Sequence, residues 1–298
     1  MTGQHSGWLQ NGIPRSGLDE HQHTTHAGGM PELPEVETVR AGLARLLAGA
    51  VIAQVELRRA DLRRTIPTTL PRTLAGQPIL AVRRRAKYLL LDTPAGSLLS
   101  HLGMTGTWRE APAGDERDHD HCYLHLTDGR RLAYRDPRRF GLLDLVTPGV
   151  DHPDLSGLGP EPLADEFTAA YLQGQLRGRR TAVKVRIMDQ AVVVGVGNIY
   201  AQEALFRARI RPSRAAAKIT HAECASLVRH IREVLQAAIA QGGTTISDFR
   251  QAGGEMGYFR VALAVYDRGG QPCTNCGAAL RAGAVGGRGT VWCRSCQF

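Results

Sequence analysis

The feature that most limits how this chain can fold lies at its end. Cys273-Thr274-Asn275-Cys276 and Cys293-Arg294-Ser295-Cys296 form two C-x-x-C pairs, with residues 277–292 between them. Each pair makes a tight knuckle with both sulfurs on one side, and two knuckles close a tetrahedron of thiolates around a metal ion. The spacing is that of a zinc ribbon. One structural zinc ion is therefore expected, held by Cys273, Cys276, Cys293 and Cys296. Four sulfurs leave no open position for water, so the metal would hold structure and do no chemistry. Two disulfides would use the same residues but fit poorly with a reducing compartment. Cys122 and Cys224 stand alone in apolar patterns and are expected to be buried spectators.

The ribbon uses little of a 298-residue chain, and the rest is long enough for two or three units. No apolar run approaches the roughly 20 residues that cross a bilayer. The polar, Gly- and His-rich start is unlike a secretory signal. A soluble, cytoplasmic protein with no membrane partner is expected. Its charge points to a polyanion: 37 Lys+Arg against 28 Asp+Glu leave a net +9. Nearly all the cations are arginines, the lysines being Lys87, Lys184 and Lys218. Guanidinium forks match phosphate oxygens, which makes nucleic acid the natural partner. An arginine-coated surface would give the same balance, so charge alone decides little.

Residues 1–29 contain His5, His21, His23 and His26 and show no apolar periodicity, as in a disordered extension. Order is expected from Met30. Pro34 suits a helix's first turn, Glu35 and Glu37 suit its positive end, and Val36, Val39, Leu43, Leu46 and Leu47 recur at helical spacing until Gly49. Short β-type runs follow, including Val51–Leu57, Tyr88–Leu91, Leu98–Leu102, Tyr123–Leu126 and Leu142–Val146. They suggest an antiparallel β-sandwich or barrel. Ala111–Asp120, charged and turn-rich, reads as a mobile loop, and Asp151–Pro162 as a linker. Helical patterns cover Ala164–Leu176, Ala182–Asp189, Ile199–Phe206 and His221–Ala240. The expected class is α+β and multidomain: extension 1–29, sandwich with flanking helices 30–150, helical unit 151–258 and zinc-binding hairpin 259–298.

From Pro31 the sequence becomes specific. Pro31-Glu32-Leu33-Pro34-Glu35-Val36-Glu37-Thr38 follows a methionine. Arg85-Ala86-Lys87-Tyr88-Leu89, His101-Leu102-Gly103-Met104, Asp136-Pro137-Arg138-Arg139-Phe140-Gly141, Gly195–Tyr200 and the terminal cysteines come after it in order. Together these strings, which span 30–298, resemble formamidopyrimidine-DNA glycosylase. Leu33 favours that oxidised-purine branch over the related endonuclease VIII branch, which typically opens Pro-Glu-Gly-Pro.

Chemistry alone supports a nucleophile at this point. Excision with strand cleavage needs an amine that attacks a sugar carbon and forms a cationic Schiff base. A terminal α-amine has a reference pKa near 8 against about 10.4 for lysine, so several hundred times more of it is neutral at pH 7. A proline nitrogen is a secondary amine and can form an iminium ion. Lys87 is the internal competitor. In the written chain Pro31 follows Met30 through an amide, which is not nucleophilic. The active species is therefore expected to begin at Pro31, through translation from Met30 or cleavage of the extension, with Met30 then removed. Without the other motifs, Pro31 and Pro34 would read as helix-entry prolines.

The resemblance implies the remaining roles. Glu32 would be the general acid–base, Lys87 would contact phosphate and assist proton transfer, and Glu35 would lie in the lesion pocket. Met104, Arg138 and Phe140 would fill the void left by an everted base. Gly195–Asn198 would belong to a helix–two-turns–helix clamp in which Asn198 caps the next helix and its amides favour phosphate. Arg288 at the tip of the zinc hairpin would grip phosphate, with Lys184 and Tyr258 as weaker candidates. Gly253–Gly257 would belong to a loop closing over the lesion. The implied enzyme is a monomer acting on double-stranded DNA with oxidised bases or abasic sites, without an organic cofactor. An oxidised-pyrimidine glycosylase and a non-catalytic zinc-ribbon protein that binds damaged DNA remain alternatives.

Overall fold

The computed structural model describes residues 30–242 and 263–298. The readings placed on 1–29, on Gly253–Gly257 and on Tyr258 lie outside them. The chain opens with α1 (Leu33–Leu47), which turns Val36, Val39, Leu43 and Leu47 inward. Eight strands follow: β1 (Ile52–Leu57), β2 (Ala81–Arg85), β3 (Tyr88–Thr93), β4 (Gly96–His101), β5 (Thr107–Glu110), β6 (Asp120–Leu126), β7 (Arg131–Arg135) and β8 (Leu142–Val146). A short α2 (Leu70–Leu74) lies between β1 and β2.

These strands form two four-stranded antiparallel sheets, ordered β1-β6-β7-β5 and β2-β3-β4-β8. One apolar cluster joins α1 to both, from Val36 and Leu43 through Leu89, Leu98, Leu124 and Leu143. Its two largest rings, Trp108 and Tyr134, lie 5.2 Å apart. Their polar ends are satisfied: Trp108 Nε1 donates to Ser100 Oγ at 3.0 Å, and the Tyr134 hydroxyl to the His101 carbonyl at 3.0 Å. Buried aromatic rings with such handles pack in one orientation, which aligns the two sheets.

Residues 111–120 are not the loose loop that their charge suggested. Arg109 of β5 donates to Asp115 at 2.7 Å and Asp120 at 2.6 Å, and Arg131 of β7 to Glu116 at 2.5 Å. Alternating charges that look solvated in sequence are knitted to arginines on neighbouring strands.

A second apolar cluster holds α3 (Ala169–Leu176), α4 (Val183–Ile187), α5 (Asn198–Arg207) and α6 (His221–Ala240). The first of these starts five residues later than its periodicity suggests, because Thr168 is its N-cap and accepts from the Tyr171 amide at 3.1 Å. The chain ends in β9 (Arg281–Val285) and β10 (Arg288–Trp292), antiparallel and joined by Gly286-Gly287. Both glycines have positive φ, 60° and 73°, as a two-residue hairpin turn of this kind requires. Among the described residues no helix is long and apolar enough to cross a membrane.

Helix α5 ties the units together. Buried Gln202 accepts from the Val291 amide at 2.6 Å and donates to the Gly289 carbonyl at 3.2 Å, fastening β10. Buried Glu203 accepts from the amides of Ala264, Val265 and Tyr266, each at 2.9 Å. An unsatisfied buried amide costs about 1–3 kcal/mol. Glu203→Ala should therefore lower unfolding stability by at least about 2 kcal/mol in denaturant titrations, whereas Glu203→Gln, which keeps one acceptor, should lose less.

Candidate active site

The N-terminus of α5 carries unpaired amides, and one carboxylate fills them. Glu32, just ahead of α1, accepts at Oε2 from the Gly197 amide at 2.8 Å and the Tyr200 amide at 3.3 Å, and at Oε1 from the Ile199 amide at 2.8 Å. The positive end of a helix is a ready-made anion site, here occupied by a side chain from the sandwich. Close approach explains Gly197: a Cβ built there would overlap the Glu32 carboxyl group. Glu35 lies behind, accepting from the Glu32 amide at 2.9 Å and the Tyr200 hydroxyl at 2.7 Å.

Glu32 is 3% exposed. Loss of solvent pushes its pKa up to about 7, with nearby Lys87 opposing the rise and Glu35 adding to it. Burial, with the Glu35 charge adding to it, outweighs both the Lys87 attraction and the Ile199 and Tyr200 amide donors. Lys87 is pulled below its ordinary value by desolvation, against the attraction of Glu32 and Glu35. The two groups are thus drawn toward each other in proton affinity, the condition for exchanging protons near neutral pH.

Both line a cleft of about 460 Å³ between the sandwich and the helical unit. Met30, Met104, Asn198 and Arg288 lie on the same wall set, so six of the positions singled out in sequence, or adjoining one, meet here. Pro31 is buried next to exposed Met30. Arg138 and Phe140 stand on the exposed β7–β8 turn, the guanidinium carbon 4.9 Å from the ring centre. Asp136 binds that turn to the Met104 loop, accepting from Thr105 Oγ1 at 2.5 Å and the Gly141 amide at 2.8 Å.

Lys184 and Asn198 both make contacts with the hairpin. Lys184 is fully buried, and its Nζ donates to Thr290 Oγ1 at 2.6 Å. It pins α4 to the hairpin, and its pKa falls to about 8 through desolvation and then Arg288. The ammonium is thus held against the hairpin beside Arg288. Asn198 does not cap α5: Gly197 holds that place, and Asn198 Nδ2 donates to the Gly289 carbonyl at 3.1 Å. Nor are the α5 amides open to phosphate, since Glu32 fills them.

Two further cleft residues had been given no role. His101 is pushed down to about 4, by burial first and then by Lys87, so its ring is neutral at pH 7. The Gly103 amide donates to its Nδ1 at 3.0 Å, which leaves the proton on Nε2 as a donor. His101 was visible in its motif, at the end of a β-type run next to Met104. Tyr266 also lines the cleft, held by Glu203 through its own amide; nothing local in the sequence marks it.

At the far end the four cysteine sulfurs lie within 4.8 Å of one another. The Cys273–Cys296 and Cys276–Cys293 separations are 3.9 and 3.5 Å. Tetrahedral thiolates at ~2.3 Å from a metal would be ~3.8 Å apart, whereas a disulfide needs ~2.05 Å. The cluster therefore fits a metal ion.

Comparison with known proteins agrees with this geometry. Residues 30–143 match the family model of the formamidopyrimidine-DNA glycosylase N-terminal domain, and 158–250 that of the formamidopyrimidine-DNA glycosylase H2TH domain. Formamidopyrimidine-DNA glycosylase of Bdellovibrio bacteriovorus is 54% identical over 269 residues, covering 90% of this chain and 100% of that one. The crystal structure of the MutM (Fpg) protein of Thermus thermophilus is 42% identical, with a TM-score of 0.80 over 90% of this chain and 98% of its own. The Lactococcus lactis Fpg complex with DNA containing an abasic site is 33% identical, with a TM-score of 0.80 over 89% and 99%.

Protonation of Glu32 is directly measurable. Its carboxyl resonance should titrate near pH 7. Gly197→Ala, which pushes the group out of its enclosure, should move the midpoint down toward the ordinary value, because burial is the largest cause of the rise. The folded pKa exceeds the unfolded one, so stability should fall as pH rises from about 4.5 to about 7, by on the order of 3 kcal/mol. Glu32→Gln should remove that component of the pH dependence.

Proposed function

The chain belongs to the formamidopyrimidine-DNA glycosylase family, and on that footing we propose that it excises oxidised purines, 8-oxoguanine and formamidopyrimidines, from double-stranded DNA and cuts the strand at the abasic site in base excision repair. The observation that carries the reading is Glu32, next to Pro31, buried at the α5 terminus with a pKa near 7 and facing a cleft lined by Lys87 and Arg288.

The working form begins at Pro31, where the family match also starts within one residue. The free proline nitrogen attacks C1′ of a nucleotide turned out of the duplex, and the base leaves with the glycosidic electron pair. The nitrogen gives up its proton, the C1′–O4′ bond opens to an iminium ion, and O4′ takes a proton from Glu32. Loss of a C2′ proton expels the 3′ phosphate, and a further proton loss from C4′ expels the 5′ phosphate. Glu32 suits such shuttling because it is about half protonated at pH 7. Lys87 assists these transfers and holds phosphate.

Asn198, Arg288, His101 and Tyr266 complete the phosphate-facing wall; Lys184 positions the hairpin and adds its charge beside Arg288. Met104, Arg138 and Phe140 fill the void in the duplex. Glu35, shielded from the cleft by Glu32, acts on the lesion pocket through it. The four cysteines hold one zinc ion, which keeps the hairpin base closed. We retain the division into sandwich 30–150, helical unit 151–258 and hairpin 259–298. The enzyme works as a monomer, since the described cleft is lined by one chain, in a reducing cytoplasm that keeps the cysteines reduced for the metal.

A secondary action on oxidised pyrimidines has its own support: wild-type Lactococcus lactis Fpg has been crystallised with DNA containing an oxidised pyrimidine.

Borohydride should trap a covalent adduct on abasic DNA with protein beginning at Pro31 and not with the chain that retains residue 30. Normal DNA binding by the shortened protein without an adduct would refute the mechanism. DNA affinity should drop about 10³-fold between 50 and 200 mM salt if about six phosphates are neutralised; a flat response in a salt titration would exclude that surface. Cys276→Ser should reduce bound zinc, measured by mass spectrometry, together with DNA affinity.

A further inference from the structure

The β2–β3 turn that carries Lys87 has an unusual backbone. Register pairs Arg85 with Tyr88, so Ala86 and Lys87 are the two central residues. Ala86 has φ +54°, in the left-handed region. A two-residue hairpin of this shape places glycine at that first position, and alanine is strained there. Such strain persists only where surrounding groups over-determine it.

Arg84 Nη1 donates to the Ala86 carbonyl at 3.0 Å, and the side chain that holds both the Ala86 amide and that arginine comes from the segment between the sandwich and the helices. Glu161 Oε1 accepts from the Ala86 amide at 2.7 Å and from Arg85 Nη1 at 3.1 Å, and Oε2 accepts from Arg84 Nη1 at 2.7 Å. The arginines extend the clasp: Arg84 Nε donates to Glu37 of α1 at 2.9 Å, and Arg85 Nη2 to the Gly159 carbonyl at 2.7 Å. The segment is itself anchored to the turn before α5, through the Gly159 amide on the Gln190 carbonyl at 2.8 Å and the Val194 amide on the Pro160 carbonyl at 3.2 Å. That same turn leads to the amides that hold Glu32.

We infer that Glu161 is the positioning residue of Lys87: its carboxylate fixes the strained Arg85–Tyr88 turn so that the Lys87 side chain enters the cleft opposite Glu32. The inference rests on the role given to Lys87 above. Glu161 is not among the residues lining the cleft. It references Lys87 and Glu32 to one piece of backbone, which sets the spacing of the two groups.

The test compares Lys87→Ala, Glu161→Gln, Ala86→Gly and the double variant Glu161→Gln/Ala86→Gly in the intact zinc-loaded enzyme in its trapping-competent form. Single-turnover cleavage of abasic DNA and duplex affinity are read separately. Glu161→Gln should slow cleavage about 10- to 100-fold, the cost of a displacement of about 1 Å, with affinity within about threefold of wild type. Glycine accepts the turn's φ without strain, so the double variant should regain much of the rate. A pH profile separates positioning from general loosening. Lys87 faces Glu32 and Glu35 from the α1 end, His101 from β4 and Arg288 from the hairpin. Released toward solvent it would recover its ordinary proton affinity, moving the alkaline limb to higher pH. Wild-type cleavage by Glu161→Gln beside a slow Lys87→Ala would overturn the inference. So would parallel loss of rate, affinity and thermal stability with an unmoved alkaline limb and no rescue by Ala86→Gly. Wild-type cleavage by Lys87→Ala would refute the role of Lys87 itself.

Discussion

A buried carboxylate at the end of a helix from another unit is the contact on which the rest depends. Glu32 enters from the sandwich and satisfies the Gly197, Ile199 and Tyr200 amides of α5. An uncompensated helix terminus and an uncompensated carboxylate would each be costly to bury; together each supplies what the other lacks. The contact sets the relative placement of the two units, defines the cleft between them, and puts the residue after Pro31 where its pKa rises to about 7. Structure and chemistry use the same three amides.

From there α5 distributes the constraint. One turn further on, Gln202 fastens β10 and Glu203 gathers the Ala264–Tyr266 amides. Lys184 closes the same junction from α4. Lys87 and Arg288 therefore line the cleft with Glu32 from two different units, whose junctions combine these polar contacts with apolar packing of Leu33 against the helices and of Phe206 against the hairpin. A cleft walled in this way combines positive charge for a polyanion with low solvent exposure, where electrostatic effects on protonation are largest.

Much of this was legible along the chain. The C-x-x-C pairs, the apolar spacing of α1 and α6, and the short β-type runs of β1, β3, β4 and β8 depend on local periodicity and composition, which a sequence states directly. β5 and β7 were harder to single out because each is short and ends in charge. Arg109 and Arg131 look solvated until their carboxylate partners on residues 111–120 are seen. The bond from Lys184 to Thr290 was hidden for the same reason, since it joins residues far apart in the chain. Asn198 resembled a cap because Asn favours caps, but Gly197 took that place where Glu32 leaves no room for a Cβ.

The sequence by itself determined which chemical groups were present and in what order: a proline–glutamate start, one lysine in an arginine-rich hairpin, four cysteines at metal spacing, and enough apolar periodicity for a sandwich and a helical bundle. It also carried the family resemblance, because motifs are strings. Tertiary structure alone decided which helix end Glu32 would meet, that His101 and Tyr266 share a cleft with Lys87, and that Glu161 holds the lysine's turn. Those pairings join residues far apart in the chain. Burial and field strength, which set the protonation of Glu32, Lys87 and His101, are sums over neighbours that exist only once the chain has folded.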